Sequence, residues 1–169
     1  MAILNPGHLL DQAGLLVSAT PGRKPRQVNL RRAISAAYYA VFHQILIATA
    51  DEFVGKASRN DARHSLVYRS IDHGTIRRLC DEASRPSPTP RYRKFLSEHG
   101  FEVNIRNFAN IFLRLQTQRH EADYDPSQQF STVDVLFSIH LAESAIKAFS
   151  AAGVDSQKLF LTLLVFPPR

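Results

Sequence analysis

A single cysteine, Cys80, stands in this chain of 169 residues. It excludes an internal disulfide, leaves no Cys-based zinc cluster, and fits a reducing, cytoplasmic setting. There is no glycine-rich phosphate loop, no Gly-x-Ser-x-Gly and no His-Glu-x-x-His. The P-loop, α/β-hydrolase and zincin chemistries therefore lack their signatures. The seven histidines are scattered, so neither a metal site nor a cofactor is expected. The opening Met1-Ala2-Ile3-Leu4-Asn5-Pro6 lacks the charged and apolar regions of a signal peptide. The longest apolar-rich run, residues 159–166, falls far short of the ~20 residues that cross a bilayer, so no membrane association is expected. Period-two alternation is nowhere sustained and no internal repeat is found, which argues against sheet and solenoid architectures.

What is present is basic and helical. Lysine and arginine number 21 against 15 acidic residues, a net charge of +6 with a pI near 9.8. That balance admits an anionic partner such as RNA or DNA, and equally a generally basic protein surface. The 44% hydrophobic content is ordinary, and the length suits one domain, residues 1–169, with a proper core.

Apolar periodicity predicts about five helices in an all-α antiparallel bundle. The first runs from Asn5-Pro6 to about Ala19 and is broken by Thr20-Pro21-Gly22, a turn made basic by Arg23, Lys24 and Arg26. The second spans about 25–54, with Leu30, Ile34, Ala37, Tyr38, Val41, Ile45 and Ala48 as its core stripe. The third is expected over about 61–83, anchored by Leu66, Val67, Ile71, Ile76 and Leu79, with Gly74 weakening its middle. Residues 84–90, rich in proline, read as an extended linker. The fourth spans about 101–123, and its stripe Ile105, Phe108, Phe112, Leu115 should pack on that of the second. The fifth begins after Pro126, with Ser127 as a possible cap, and runs to about Ala152. Its inward residues are expected to be Val133, Leu136, Phe137, Leu141, Ala145, Ala148 and Phe149, with His140 as a satisfied core histidine. The apolar tail within 154–169 should dock on the bundle, as a short helix or against a partner.

Three polar groupings stand apart from these stripes. Arg32, Ala36, Tyr39 and His43 share one face of the second helix, an RNA-binding candidate or a plain solvated face. Arg91, Arg93 and Lys94 flank Tyr92, a pattern that grips phosphates and stacks a base, or a solvated loop. The richest grouping closes the fourth helix, in the run Arg114 to Pro126. At about 100° per residue, Arg119 falls on the inward stripe. A buried arginine is costly unless paired, and Asp123, four residues on, is its expected partner. His120 and Tyr124 share a second face with Arg106, Asn110, Leu113 and Thr117.

Three stretches resemble the HEPN family of helical-bundle domains. Residues 32–43, Arg-Ala-Ile-Ser-Ala-Ala-Tyr-Tyr-Ala-Val-Phe-His, look like its long second helix. His73-Gly74-Thr75-Ile76-Arg77-Arg78-Leu79 looks like the short His-containing motif of its third. Arg119-His120-Glu121-Ala122-Asp123-Tyr124 is similar to its Arg-x-x-Ala-Asp-Tyr signature. The resemblance spans roughly residues 28–152. It implies a homodimer and, for many members, a metal-independent endoribonuclease of a toxin–antitoxin or defence system, built on Arg-x(4–6)-His at the dimer interface. Other members bind nucleotides, or assist a nucleotidyltransferase partner, without catalysis.

Arg114 and His120 satisfy that spacing with five residues between them, whereas Arg119 is the arginine of Arg-x-x-Ala-Asp-Tyr. Six positions apart, Arg114 and His120 point about 120° apart on an ideal helix, so their joint use requires a second copy across a two-fold axis. The implied catalytic set is Arg114 or Arg119 to neutralise phosphate charge, His120 to move a proton and Tyr124 to orient the phosphate.

Overall fold

The computed structural model describes residues 4–18 and 24–169. Eight α-helices are present in it: α1 Pro6–Ser18, α2 Gln27–Val54, α3 Ala62–Arg69, α4 His73–Ser84, α5 Pro90–Arg93, α6 Val103–Tyr124, α7 Thr132–Ala151 and α8 Val154–Val165. No strand occurs among the described residues. The all-α bundle is as expected. The turn at Thr20-Pro21-Gly22 and its Arg23 lie outside the described residues.

The long helix α2 is the axis of the bundle. Its stripe Ala37, Tyr38, Val41 and Ile45 is buried in one cluster with Ile105, Phe108, Phe112 and Leu115 of α6. The two helices run antiparallel: Ser35 meets Asp123, Tyr39 meets Arg119 and Tyr38 meets Phe112. Tyr38, Phe108, Phe112 and Phe160 are fully buried, and each side chain of this size contributes about 1.5–3 kcal/mol on leaving water. By length and composition α2 could cross a membrane, but 72% of its apolar window is buried inside the bundle. Its hydrophobicity is accounted for by packing.

Five expected helices become eight for identifiable reasons. The expected third helix is two, α3 and α4, separated at 70–72. Asp72 is extended and its carboxylate accepts from the Thr75 amide, so it caps a new helix. The linker contributes the single turn α5, and the tail forms α8. Phe160, Leu161, Leu163 and Leu164 of α8 are buried in the main core.

Two further local corrections follow from caps and packing. Ser127 does not start α7; its hydroxyl and amide bond to Asp125. Ser131 starts it, in a reciprocal capping box with Asp134. The buried face of α7 is Val135, Ser138, Ala142, Ala145 and Phe149. Val133, Leu136 and Phe137 are exposed, Val133 at 72%, and His140 is exposed too. Both faces of the first half of α7 are apolar, and the small residues Ser138 and Ala142 bring the other one close to α6. Likewise Leu66 points to solvent, while His64 is the buried residue of α3.

Candidate functional site

Arg119 lies where α2 and α6 meet, with its side chain 17% exposed. Its Nη2 donates to the Tyr39 hydroxyl at 2.9 Å. Its Nε lies 2.6 Å from Asp123 Oδ2, an ion pair too bent to count as a hydrogen bond. The guanidinium also packs on the rings of Tyr39 and Tyr124, at 5.5 and 5.4 Å from their centroids. Burial opposes the charge, but Tyr39, Asp123 and Tyr124 together leave the Arg119 pKa raised. Asp123 is fixed in turn by the Ser35 hydroxyl, which donates to Oδ1 at 2.6 Å.

His120 and Tyr124 point outward beside this arginine. Their ring centroids are 5.0 Å apart, and Tyr124 is 64% exposed. Thus three of the four catalytic candidates, Arg119, His120 and Tyr124, form one contact group within a single chain. Arg114 does not join them: its guanidinium rests on the Phe137 ring of α7, 4.6 Å from the centroid. Asn110 and Thr117, on the same face as His120, bond back to their own helix.

Arg32, Tyr39 and His43 do come together. With Arg31, Ser35 and Asp123 they line a groove of about 650 Å³ between α1, α2 and the end of α6. Tyr39 is shared by both groupings, so the two faces that the sequence separates form one continuous site.

Behind the groove is a network of tyrosines and histidines. His43 stacks between Tyr39 and Tyr68, and its Nδ1 is 2.6 Å from the Tyr68 hydroxyl. His73, the first residue of α4, stacks on Phe42 with centroids 4.0 Å apart, and its Nδ1 is 2.7 Å from the Tyr38 hydroxyl. Burial and the neighbouring His73 hold His43 below the usual histidine range; burial and the Arg119 guanidinium do the same to His73. Burial raises the Tyr38 and Tyr68 phenols.

Arg31 is the residue that locks this end of the bundle. Its guanidinium donates to the carbonyls of Ala122, Asp125 and Gln128 at 2.8, 2.8 and 2.6 Å. A cation that satisfies free carbonyls at a helix C-terminus is doubly favourable. The neighbouring Gln27 pairs with both backbone groups of Phe130. Sequence periodicity does not single out Arg31 or Gln27, because their partners are backbone atoms far along the chain.

Arg91, Arg93 and Lys94 stand exposed around α5 and do not line the groove. Tyr92, the ring they flank, is only 4% exposed and is not free to stack a base; Phe95 is the exposed ring beside them, with the Lys94 ammonium 5.0 Å from its centroid. No cluster of three or more metal-ligating side chains occurs among the described residues.

No family model, curated protein or solved structure matches this chain.

Proposed function

We propose that this chain is a HEPN-type domain that acts on RNA through the α2–α6 face, as a metal-independent endoribonuclease of a cytoplasmic toxin–antitoxin or defence system. The observation that carries the reading is the contact group Arg119–Tyr124–His120: a fixed cation and an exposed imidazole share one phenol ring beside an open groove. A 2′-hydroxyl attacks the adjacent phosphorus, the 5′-oxygen leaves, and a 2′,3′-cyclic phosphate forms. Arg119 neutralises charge on the phosphorane-like transition state. His120 moves the proton, a role suited to an imidazole, which can both accept and donate one. Tyr124 orients the phosphate, and Arg32 with the basic residues Arg91, Arg93 and Lys94 extends the electrostatic footprint.

The active form is a homodimer. The exposed apolar residues Val133, Leu136 and Phe137 of α7 give a second copy a surface to cover. Across a two-fold axis the Arg114 of one copy reaches the site of the other.

A second reading rests on the Arg119–Asp123 ion pair. An arginine already neutralised by a carboxylate suits a non-catalytic module that binds RNA or nucleotide, or that dimerises beside a nucleotidyltransferase or antitoxin partner. The deciding experiment is RNA cleavage by purified protein in excess chelator, comparing wild type with His120→Ala, Arg119→Ala, Arg114→Ala and Tyr124→Phe. Under the catalytic reading, His120→Ala loses about 10²–10⁴-fold in rate while remaining folded. A wild type that binds RNA but never cleaves it establishes the second reading.

A further inference from the structure

The far end of α2 carries an ion network of its own. Asp51, in the last turn of α2, takes two nitrogens of Arg59: Nε donates to Oδ1 at 2.8 Å and Nη2 donates to Oδ2. His64 of α3, almost fully buried, places Nε2 3.0 Å from the same Oδ1. An ionised carboxylate only accepts, so this nitrogen carries its proton. One edge of the Arg59 fork is therefore fixed from behind. The other edge, Nη1 with the second proton of Nη2, has no partner among the described residues, and the side chain stays 40% exposed. Arg59 lines a cavity of about 740 Å³, larger than the groove at the α2–α6 face and sharing no residue with it. Lys56, from the 3-10 turn Lys56–Ser58, and Lys158 of α8 line it too. Neither lysine makes an ion pair among the described residues. Asp51 is spent on Arg59 and His64, which leaves Glu52 as the free carboxylate of the lining. Lys56 and Lys158 against Glu52 give one positive charge in surplus. Much of the remaining lining is apolar, and two of its residues, Leu4 and Val154, are 43% and 67% exposed.

We propose that this cavity binds a small organic anion, with a phosphate or carboxylate held by Arg59, Lys56 and Lys158 and an apolar body covered by Leu4, Ile47 and Val154. The site stands or falls without the RNA reading of the α2–α6 face. Its volume lies within the range of about 300–1,000 Å³ typical of ligand cavities, which combine an apolar lining with a few placed polar groups. A guanidinium fork suits an oxyanion, because its N–H groups are planar and pair two at a time. Asp51 and His64 hold that fork in advance, so little ordering is left for the ligand to impose. The lysines add charge from two further elements, the turn after α2 and the first half of α8. A cationic ligand finds no equivalent, since the Asp51 oxygens already receive Arg59 and His64. Leu4 and Val154 give the ligand body apolar surface that the fold leaves in water. An occupant would tie the end of α2 to α8, and binding to the folded state alone raises stability.

The test is a backbone amide NMR titration of the whole protein near neutral pH at fixed ionic strength. The probes are phenyl phosphate, benzoate, inorganic phosphate and benzylammonium. Phenyl phosphate or benzoate should shift amides within residues 44–59 and 150–161, with the millimolar affinity of a fragment-sized ligand. The tighter of the two names the headgroup. Inorganic phosphate should bind more weakly, for want of an apolar body, and benzylammonium should not bind. Replacing Arg59 also breaks the Asp51 network, so the exposed lysines carry the mutational test. Lys56→Glu and Lys158→Glu, each shown to be folded by its thermal melt, should weaken the aryl anion about two- to tenfold, because an exposed attraction becomes a repulsion. Inorganic phosphate binding as tightly as phenyl phosphate would reduce the cavity to a basic surface and overturn the proposal. So would shifts centred outside these residues, lysine reversals without effect, or no binding of either aryl anion at tens of millimolar.

Discussion

Arg119 of α6 donates to the hydroxyl of Tyr39 of α2 across 2.9 Å, and through that bond the last turn of one helix is registered against the polar face of the other. Tyr39→Phe removes the acceptor and keeps the ring. The expected loss is about 1.5–3 kcal/mol, the range for a hydrogen bond to a charged group, read from urea unfolding. RNA affinity should fall as well, because the guanidinium loses its fixing hydrogen bond and keeps only the Asp123 ion pair and its ring contacts. Unchanged stability and affinity would show that Tyr39 serves only as a packing ring.

Arg31 should be more costly to lose than its half-exposed position implies. Arg31→Ala leaves three carbonyls at and beyond the end of α6 without their cation and should destabilise by about 2–3 kcal/mol. Arg31→Lys should not restore the loss, since an ammonium cannot span three acceptors as a planar fork does. Hydrogen exchange at residues 122–130 should quicken in both variants. Full rescue by lysine would reduce the clamp to simple charge complementarity.

Stability should depend on pH in two windows. The Arg59 side chain, opposed by burial and helped by His64, holds the Asp51 carboxyl below the usual range. A depressed carboxylate stabilises fully above its unfolded pKa of about 3.9 and loses that contribution as pH falls through the lower folded value. Asp51→Asn should flatten the pH dependence there. His43 and His73 are depressed bases, so the unfolded chain binds more protons below about 6.5. Stability should therefore decline as pH drops from about 7 to 5, and the double variant His43→Gln/His73→Gln should lose that slope. Chemical denaturation across pH 2–8 reads both windows.

The basic turn at α5 makes a separate, electrostatic prediction. Reversing Arg91, Arg93 and Lys94 to glutamate should weaken RNA binding and shrink the salt slope by about 0.7 per lost phosphate contact to a single strand. An unaltered slope assigns this turn to plain solvated surface; base stacking on Tyr92 is not expected in either case, because that ring is buried.

Much of this architecture is legible in the residues, because α6 presents one clear apolar stripe and the stripe expected on α2 is buried or half-buried, although Ala36, Ala40, Phe42 and Leu46 on other sides of α2 are buried as well. The Arg119–Asp123 pair is legible for a similar reason: an inward arginine at helical spacing needs a carboxylate a turn away. What periodicity cannot supply is the choice between two apolar faces, and Val133, Leu136 and Phe137 are the result on α7. Nor does it see single caps: Asp72 splits one expected helix into two, and Ser131 displaces Ser127. The link between Tyr39 and Arg119 is out of reach as well, since it joins residues eighty positions apart through side chains on different faces. His73 and Tyr38 show the same gap. One looks like a motif histidine and the other like core, and only their 2.7 Å contact makes them a unit.

The chemistry of the cleaved end tests the central claim most directly. A defined single-stranded RNA is incubated with the protein in excess chelator, and the new termini are read by mass spectrometry. A 2′,3′-cyclic phosphate opposite a 5′-hydroxyl is the expected result, with its yield falling at least a hundredfold in a folded His120→Ala variant. Absence of cleavage, a requirement for a divalent metal, or equal yield from His120→Ala would contradict the assignment of this face as a metal-independent ribonuclease site.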